Sequence, residues 1–569
     1  MNSDRQRRIL LTGLFLALFF SSLDQTVVGT AMPRIIGELG GLSIMTWVTT
    51  TYMLTSTTVV PIAGKLADVY GRRLIYIAGL LIFIGGSALC GTSQTMLQLI
   101  LYRALQGIGG GIMMPLAMTI VGDIFPPGER GRWQGIMGAL FGLSSVVGPA
   151  IGGWIVDYAS WQWVFYINLP IGFLATATIY MGLRDEKPVA GQVHIDYAGI
   201  LLLIIGTVSL LLGLNMGGAG YSWLSWQIFG LLGLSFAAWA FFLYVEQRAL
   251  DPVLSLDLFQ NKVFAVSNMV GFLMGLGMFG ALAFLPLFLQ GVLGISATGS
   301  GNTMLPMMLG MMGTSILAGR YATRLPFRTI YLAGMSIMTL AFYLLSTMTI
   351  DTRQWAAAAY IALLGIGMGL IMPVITIAVQ STVGPKRRGV ATSATQFFRS
   401  IGGTLGMTVL GVVFNGYSNA IMAQEFFPAI SNMPIAANSV LADWLAKART
   451  DPHSMFNILL SPETLQLIPA ELRDSLLPPL KGALAESLQV VFWVAALIAV
   501  AGVLVSLLLG NVRLEQRDKQ NAAPDAGAVL LAEGIAPEVE LAAELVPDLI
   551  DGERKKRPEA CSKERRPDE

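Results

Sequence analysis

The sequence predicts an all-α polytopic membrane protein with fourteen transmembrane helices arranged six, two and six. Three observations carry that prediction. Of 569 residues, 54% are hydrophobic and 12% are charged, about half the charged share of an ordinary soluble domain. Apolar runs of about 20 residues recur along most of the chain, each long enough to cross a hydrocarbon core of ~30 Å as a helix. Segments of the first half also return in the second half at a near-constant offset.

The spans fall near 9–32, 44–64, 74–92, 96–121, 132–156, 162–183, 197–215, 225–246, 263–290, 299–319, 328–348, 355–380, 389–415 and 489–510. The first run follows Arg5, Arg7 and Arg8, as a signal peptide would. It is too long for one and contains Asp24, so it reads as a retained span. An even number of spans puts both termini on one side. With that side cytoplasmic, the inner segments before the tail carry 18 Lys and Arg against six in the outer loops, and four of those six fall in the single long loop 416–488. Long loops translocate largely regardless of charge, so the bias places both termini in the cytoplasm of a multi-pass cell-membrane protein. The outer loop 416–488 is expected to hold partly ordered structure or helical hairpins. The tail, 511–569, carries 14 acidic and 10 basic residues and reads as disordered.

The repeat divides the chain. "GIGGGIMMP" (Gly107–Pro115) returns as "GIGMGLIMP" (Gly365–Pro373), and "ERGRWQG" (Glu129–Gly135) aligns with "RRGVATS" (Arg387–Ser393), both at an offset of 258. "GKLADVYGRR" (Gly64–Arg73) aligns loosely with "GRYATRLPFR" (Gly319–Arg328). Corresponding spans keep their order and orientation, so the halves are parallel repeats of six helices. The expected domains are 1–196, an inserted pair of helices with its linker at 197–262, a second bundle at 263–510, and the tail at 511–569. Accidental glycine-rich similarity is the alternative. The copies differ in chemistry: Asp68 is matched by Thr323, Arg103 by Ile361 and Pro149 by Met407.

Ionisable residues inside a bilayer are functional candidates by default. Asp24, Arg103 and Arg399 are the three that stand out. Asp24 lies ~22 Å from the inner surface at 1.5 Å per residue, and Arg103, on a helix descending from outside, lies ~10 Å from the outer surface. Opposite charges at matching depth suit a proton-coupling pair, because a nearby guanidinium holds a carboxyl ionised until the two separate. A static structural ion pair is the alternative. No Asp or Glu lies between Asp257 and Asp351 or between Asp351 and Glu425, so spans nine to thirteen hold no carboxylate. A membrane proton carrier therefore points to Asp24. Asp123 and Asp157 sit at helix ends and read as caps or gate residues.

In "GKLADVYGRRL" (Gly64–Leu74), Arg72 and Arg73 serve equally as a topology signal, which leaves Asp68, Gly64 and Gly71 without a purpose. Span five holds Gly142, Gly148, Pro149, Gly152 and Gly153, a set that permits close helix approach. Simple packing is the competing reading. Met274, Met278 and Met308, with Gln25, Tyr52 and Arg399, are candidates for a substrate cavity, since flexible thioethers re-pack around varied apolar ligands. Core or lipid-facing methionine is the alternative. The two cysteines, Cys90 and Cys561, imply neither a disulfide framework nor a metal site. Walker loop, zinc spacing and nucleophile elbow are all missing, so no enzyme activity, cofactor or nucleic-acid partner is expected.

These motifs together resemble the major facilitator superfamily. "GKLADVYGRRL" is similar to its signature loop between helices two and three, and "LILYRALQGIGGG" (Leu99–Gly111) to its fourth-helix motif. "GLSSVVGPAIGG" (Gly142–Gly153) resembles the fifth-helix motif of its antiporters. "LDQTVVGTAMPRI" (Leu23–Ile35) and "WQWVFYINLPIG" (Trp161–Gly172) resemble motifs of the fourteen-helix drug:proton antiporters of the EmrB/QacA type. The resemblance covers about 9–415 and 489–510. It implies a major facilitator fold and multidrug efflux driven by inward proton flow. Asp24 and Arg103 would carry the coupling. Gly64, Asp68, Gly71, Arg72 and Arg73 would form a cytoplasmic latch, with Asp68 facing the start of helix thirteen. Gly148, Pro149 and Gly152 would shape the antiporter helix. Expected partners are small hydrophobic or cationic substrates, protons and the lipid bilayer, with a monomer as the expected state. A dedicated exporter of one metabolite, lipid or siderophore is the rival within transport, and a non-transporting sensor or scaffold the rival outside it. Some relatives that expel divalent cations carry extra acidic residues in the spans of the C-terminal half, and spans nine to thirteen of this chain hold none.

Overall fold

The computed structural model describes residues 4–40, 44–183, 195–219, 222–384, 387–430, 455, 456, 459 and 470–513. Among these, fourteen long helices follow in chain order: α1 Asp4–Leu39, α2 Thr46–Tyr70, α3 Arg72–Gly91, α4 Met96–Ile124, α5 Pro127–Tyr158, α6 Trp163–Gly182, α7 Tyr197–Ala219, α8 Trp226–Glu246, α9 Lys262–Val292, α10 Ala297–Tyr321, α11 Phe327–Ser346, α12 Gln354–Gln380, α13 Arg388–Phe426 and α14 Ala470–Leu507. Eleven are long and apolar enough to cross a membrane. The other three, α2, α5 and α10, have their hydropathy diluted by Thr, Gly and Ser, and all three line a seam between the halves.

The repeat is visible in the packing. In the first half α1 packs on α5 and α6, α4 on α2 and α3, and α3 on α6. In the second half the corresponding helices pair the same way: α9 on α13 and α14, α12 on α10 and α11, and α11 on α14. Small residues at matched positions set these contacts, because helices in lipid gain stability chiefly by close backbone approach. Gly107 and Gly111 of α4 lie against backbone carbonyls of Tyr52 and Ser56 on α2, and Gly109 against α3 at Phe83. In the second copy Gly365 and Gly369 lie against carbonyls of Met307 and Met311 on α10, and Gly367 against α11 at Met338.

Two seams join the halves, α2 on α13 and α5 on α10. They too are related by the repeat. Gly64 abuts Gly389 in one and Gly131 abuts Gly319 in the other, and alignment pairs Gly64 with Gly319 and Gly131 with Gly389. The inserted α7–α8 hairpin leans on the first seam, with α7 packed on both α2 and α13. Val60, Phe397 and Ile401 form an apolar cluster there with Leu210 and Trp239.

Three boundaries are drawn more finely by the structure than by the sequence. "GKLADVYGRRL" was expected to be a turn, yet α2 continues through Tyr70 and α3 begins at Arg72. Only Gly71 breaks the helix, at φ 92°, a backbone region that costs glycine little and other residues more. The outer segment 416–488, expected to hold partly ordered structure or helical hairpins, is helical at both ends, since the helical run after α13 reaches Ile430 and α14 starts at Ala470. Apolarity ends where a helix leaves the bilayer, but helical structure does not. Finally, α6 is interrupted at Ile167, between Trp163–Tyr166 and Asn168–Gly182. Most of the loop's centre, and the tail beyond Arg513, lie outside the described residues.

Candidate functional site

Asp24 lies inside the first bundle, 1% exposed. Helices α4 and α6 supply its partners. Arg103 donates through Nη1 to Asp24 Oδ2. Gln106 Nε2 and Asn168 Nδ2 each donate to Asp24 Oδ1 at 2.9 Å. Helical spacing explains two of the three donors, since Arg103 and Gln106 are one turn apart on α4 and face the same way. The break at Ile167 lets the chain present Asn168 at the start of the longer part of α6.

A second layer holds these donors. Arg103 Nη1 also donates to Gln106 Oε1 at 2.8 Å, which turns the amide so that its Nε2 faces Asp24. Asn168 Nδ2 donates to Ser87 Oγ at 3.0 Å, and Ser87 donates to the Phe165 carbonyl at 2.9 Å. Cys90 Sγ lies 3.7 Å from Gln106 Oε1. The Arg103 guanidinium stacks 4.3 Å from the Tyr52 ring centroid. Tyr52 OH lies 3.3 Å from Ser21 Oγ and is also reached by Gln25.

Chemically, this is a buried carboxyl group to which one guanidinium and two amide NH₂ groups donate. Neither a guanidinium nor the NH₂ of an amide can accept a proton. None of the three donors can itself take up a proton, so Asp24 is the group in this cluster able to bind one.

The second constellation lies at the Arg-rich end of the molecule. Asp68, near the end of α2, accepts from the backbone amides of Gly389 at 3.0 Å and Val390 at 2.8 Å. These belong to the first turn of α13, where unpaired amides and the helix dipole favour a negative group. Arg72 bridges Asp68 at 3.4 Å and Asp123 at 2.6 Å, and Asp123 also receives Arg388 from the second half at 3.2 Å. Arg73 points elsewhere, stacking 4.1 Å from the Tyr180 ring centroid. Ser393 fits over Gly64, where a Cβ would displace it. This end is thus closed by a chain of alternating charge that crosses from one half to the other.

The remaining candidates are dispersed. Gly148 and Gly152 take the hydroxyls of Thr26 and Thr30, fitting α5 closely to α1. Gly153 has nothing within 4 Å. Gly142 and Pro149 lie in α5, and the surroundings of their side chains, like those of Asp157, fall outside what the structure describes. Met274 and Met278 belong to the apolar core of the second half, and Met308 is buried on α10. Arg399 is buried on α13 and donates to Gln396 Oε1. Gln396 lies 3.7 Å from Met114 Sδ of α4, so this face of α13 meets the first half. Gln106, Asn168, Ser87 and Arg388 are the members of these two clusters that sequence reasoning passed over. The turn relation of Gln106 to Arg103, and the one amide in "WQWVFYINLPIG" after the aromatic run, were the available signals.

Comparison with known proteins shows the family. Residues 14–407 match the Major Facilitator Superfamily. The chain is 46% identical over 524 residues to "Multidrug transporter protein MdtP" of Bacillus subtilis, covering 91% of this chain and 97% of that protein. It is 37% identical over 509 residues to "Multidrug resistance protein 3" of the same organism, covering 89% and 96%. Among solved structures it resembles the human organic anion transporter MFSD10, with a TM-score of 0.54 at 14% identity, covering 87% of this chain and all of that one. At that identity the likeness speaks to fold alone.

Proposed function

The chain belongs to the Major Facilitator Superfamily, and from that premise we propose that it exports hydrophobic or amphiphilic compounds in exchange for protons. It is a multi-pass membrane protein of a family of transporters. The single observation that carries the antiport reading is the environment of Asp24: a buried carboxylate held by Arg103, Gln106 and Asn168, none of which can take its proton.

In this reading a proton entering from outside converts Asp24 to the acid and releases one or more donors. Helices α1, α4 and α6 then repack, and the first half rocks against the second about the α2–α13 and α5–α10 seams. The Arg-rich end, which loop charge assigns to the cytoplasm, opens as Asp68 leaves the α13 amides. Substrate enters from that side, the proton leaves inward, and the latch re-forms. The names of the two Bacillus relatives support multidrug export. Arg399, with no carboxylate in spans nine to thirteen, disfavours dicationic substrates, because an unmatched buried charge costs several kcal/mol. Neutral or monovalent lipophilic compounds are the expected cargo.

The test is gradient-driven export in everted vesicles. Asp24→Asn should insert normally and lose export, while substrate exchange without a gradient persists. Undiminished gradient-driven export by that variant would defeat the proposal.

A further inference from the structure

A second buried carboxylate lies far from Asp24, at the Arg-rich end of the inserted hairpin. Glu246 closes α8 and is 3% exposed. Its Oε1 accepts the backbone amide of Leu254. Its Oε2 is buried and has no hydrogen-bond donor. Asp196, just ahead of α7, is in the same position: Oδ1 accepts the Gly199 amide at 2.7 Å, and Oδ2 is buried without a donor. The two bare oxygens share one space. A Cβ on Gly199 would collide with Asp196 Oδ2 and come within 2.9 Å of Glu246 Oε2. The side chains are within hydrogen-bonding reach of each other.

Two ionised carboxylates cannot rest this way. Each would bury an oxygen without a partner, next to a like charge, and either burden favours the neutral form of one of them. We propose that Asp196 and Glu246 form a proton-binding site in their own right, with one proton shared between Asp196 Oδ2 and Glu246 Oε2 in the space that Gly199 leaves open. The proton comes from water at that end, forms the O–H bond on one carboxyl and is donated to the other. The charge of the pair changes from minus two to minus one.

The charged neighbours define what the site acts on. Lys65 on α2 faces the pair, and its ammonium is held at 2.8 Å by Asp251 in the segment after α8. Lys65 stands three residues before Asp68. The shared proton thus clips α7 to α8 directly beside the seam that Asp68 closes, and its loss places a second negative charge near Lys65. The site is a proton sensor for the hairpin and its seam, separate from the Asp24 centre. It does not rest on the antiport reading.

Infrared difference spectra of the purified full chain in lipid nanodiscs, taken between acid and alkaline buffer, test it. The protonated-carboxyl stretch should be present in the acid form, persist in Asp24→Asn, and disappear in both Glu246→Gln and Asp196→Asn. The apparent Tm gives a second readout. The wild type should lose stability as pH rises through the titration, because the stabilising species is the protonated one. Glu246→Gln, whose NH₂ replaces the shared proton as donor, should keep the acid-side Tm throughout. Survival of the band in both variants would overturn the site. So would an unchanged pH profile in Glu246→Gln, or a Tm that follows added sodium or potassium with no protonated-carboxyl band.

Discussion

The two halves share one frame and differ in what that frame encloses. At Gly107, Gly109 and Gly111 the first half brings α4 against α2 and α3, and at Gly365, Gly367 and Gly369 the second half repeats the arrangement with α12, α10 and α11. Yet Arg103 and Gln106 are matched by Ile361 and Leu364, both 0% exposed. One copy of the position holds a guanidinium and an amide around Asp24. The other is filled by hydrocarbon. Backbone-to-backbone contact tolerates no added atoms and so constrains both copies alike. The volume behind it only has to be filled, and polar filling is stable only when every group finds a partner. The polar cluster around Asp24 thus has no counterpart at the matched position of the second half, while the scaffold is shared.

The sharpest way to break that comparison is to leave one charge alone. Asp24→Asn is expected to abolish proton-driven export and to destabilise the first half by about 3 kcal/mol, the usual scale for an orphaned buried charge. Ile361→Val at the matched position should cost about 1 kcal/mol and leave export intact. Thermal unfolding paired with vesicle transport reads both, and comparable transport losses from the two changes would end the idea of one-sided chemistry.

Making the first half resemble the second should give a different answer. The double variant Asp24→Leu with Arg103→Leu removes both charges, and apolar replacement of a buried pair is often neutral or stabilising by about 1–4 kcal/mol. It should therefore recover stability relative to Asp24→Asn while remaining inactive. If it is less stable than the single variant, the site is structural.

Repeat symmetry makes a claim about the seams. Gly131→Val and Gly389→Val each push apart backbones that now touch, at a cost of about 1–3 kcal/mol to the closed Arg-rich end. Spin-label distances across that end should lengthen by similar amounts in both variants. A response confined to one seam would show that the two are not equivalent.

The smallest effect is expected where the seams differ chemically. Asp68→Asn weakens charge-assisted bonds to the Gly389 and Val390 amides, each worth about 1.5–3 kcal/mol, but it retains one acceptor, so about 1 kcal/mol of closure should be lost. Thr323→Val, at the matched site on α10, should do less. Equal broadening of the distance distributions would assign the latch to packing alone.

Asp24 and Arg103 were legible because a charge in an apolar run is an anomaly that composition exposes. The helical run from Lys65 to Tyr70, and the break at Gly71, were not legible, because charged residues look like a loop to any reading based on apolarity. Gln106 and Asn168 carried no such mark. An amide is ordinary in either setting, and its role depends on which chain segment lies opposite. The Asp196–Glu246 pair was invisible for the same reason, since one residue ends a linker and the other ends a helix on the far side of the hairpin.

By itself the sequence determined the helical membrane class, the helix order, the parallel repeat and the half that holds the carboxylate Asp24. These follow from hydropathy, periodicity and recurrence along the chain, all of which act locally. Tertiary structure alone decided that Arg103, Gln106 and Asn168 converge on one carboxylate, that Asp68 meets the amides of α13, and that the hairpin rests on the α2–α13 seam. Hydrogen bonds act only over a few ångströms, so partners far apart in the chain become partners only after packing has brought their helices together.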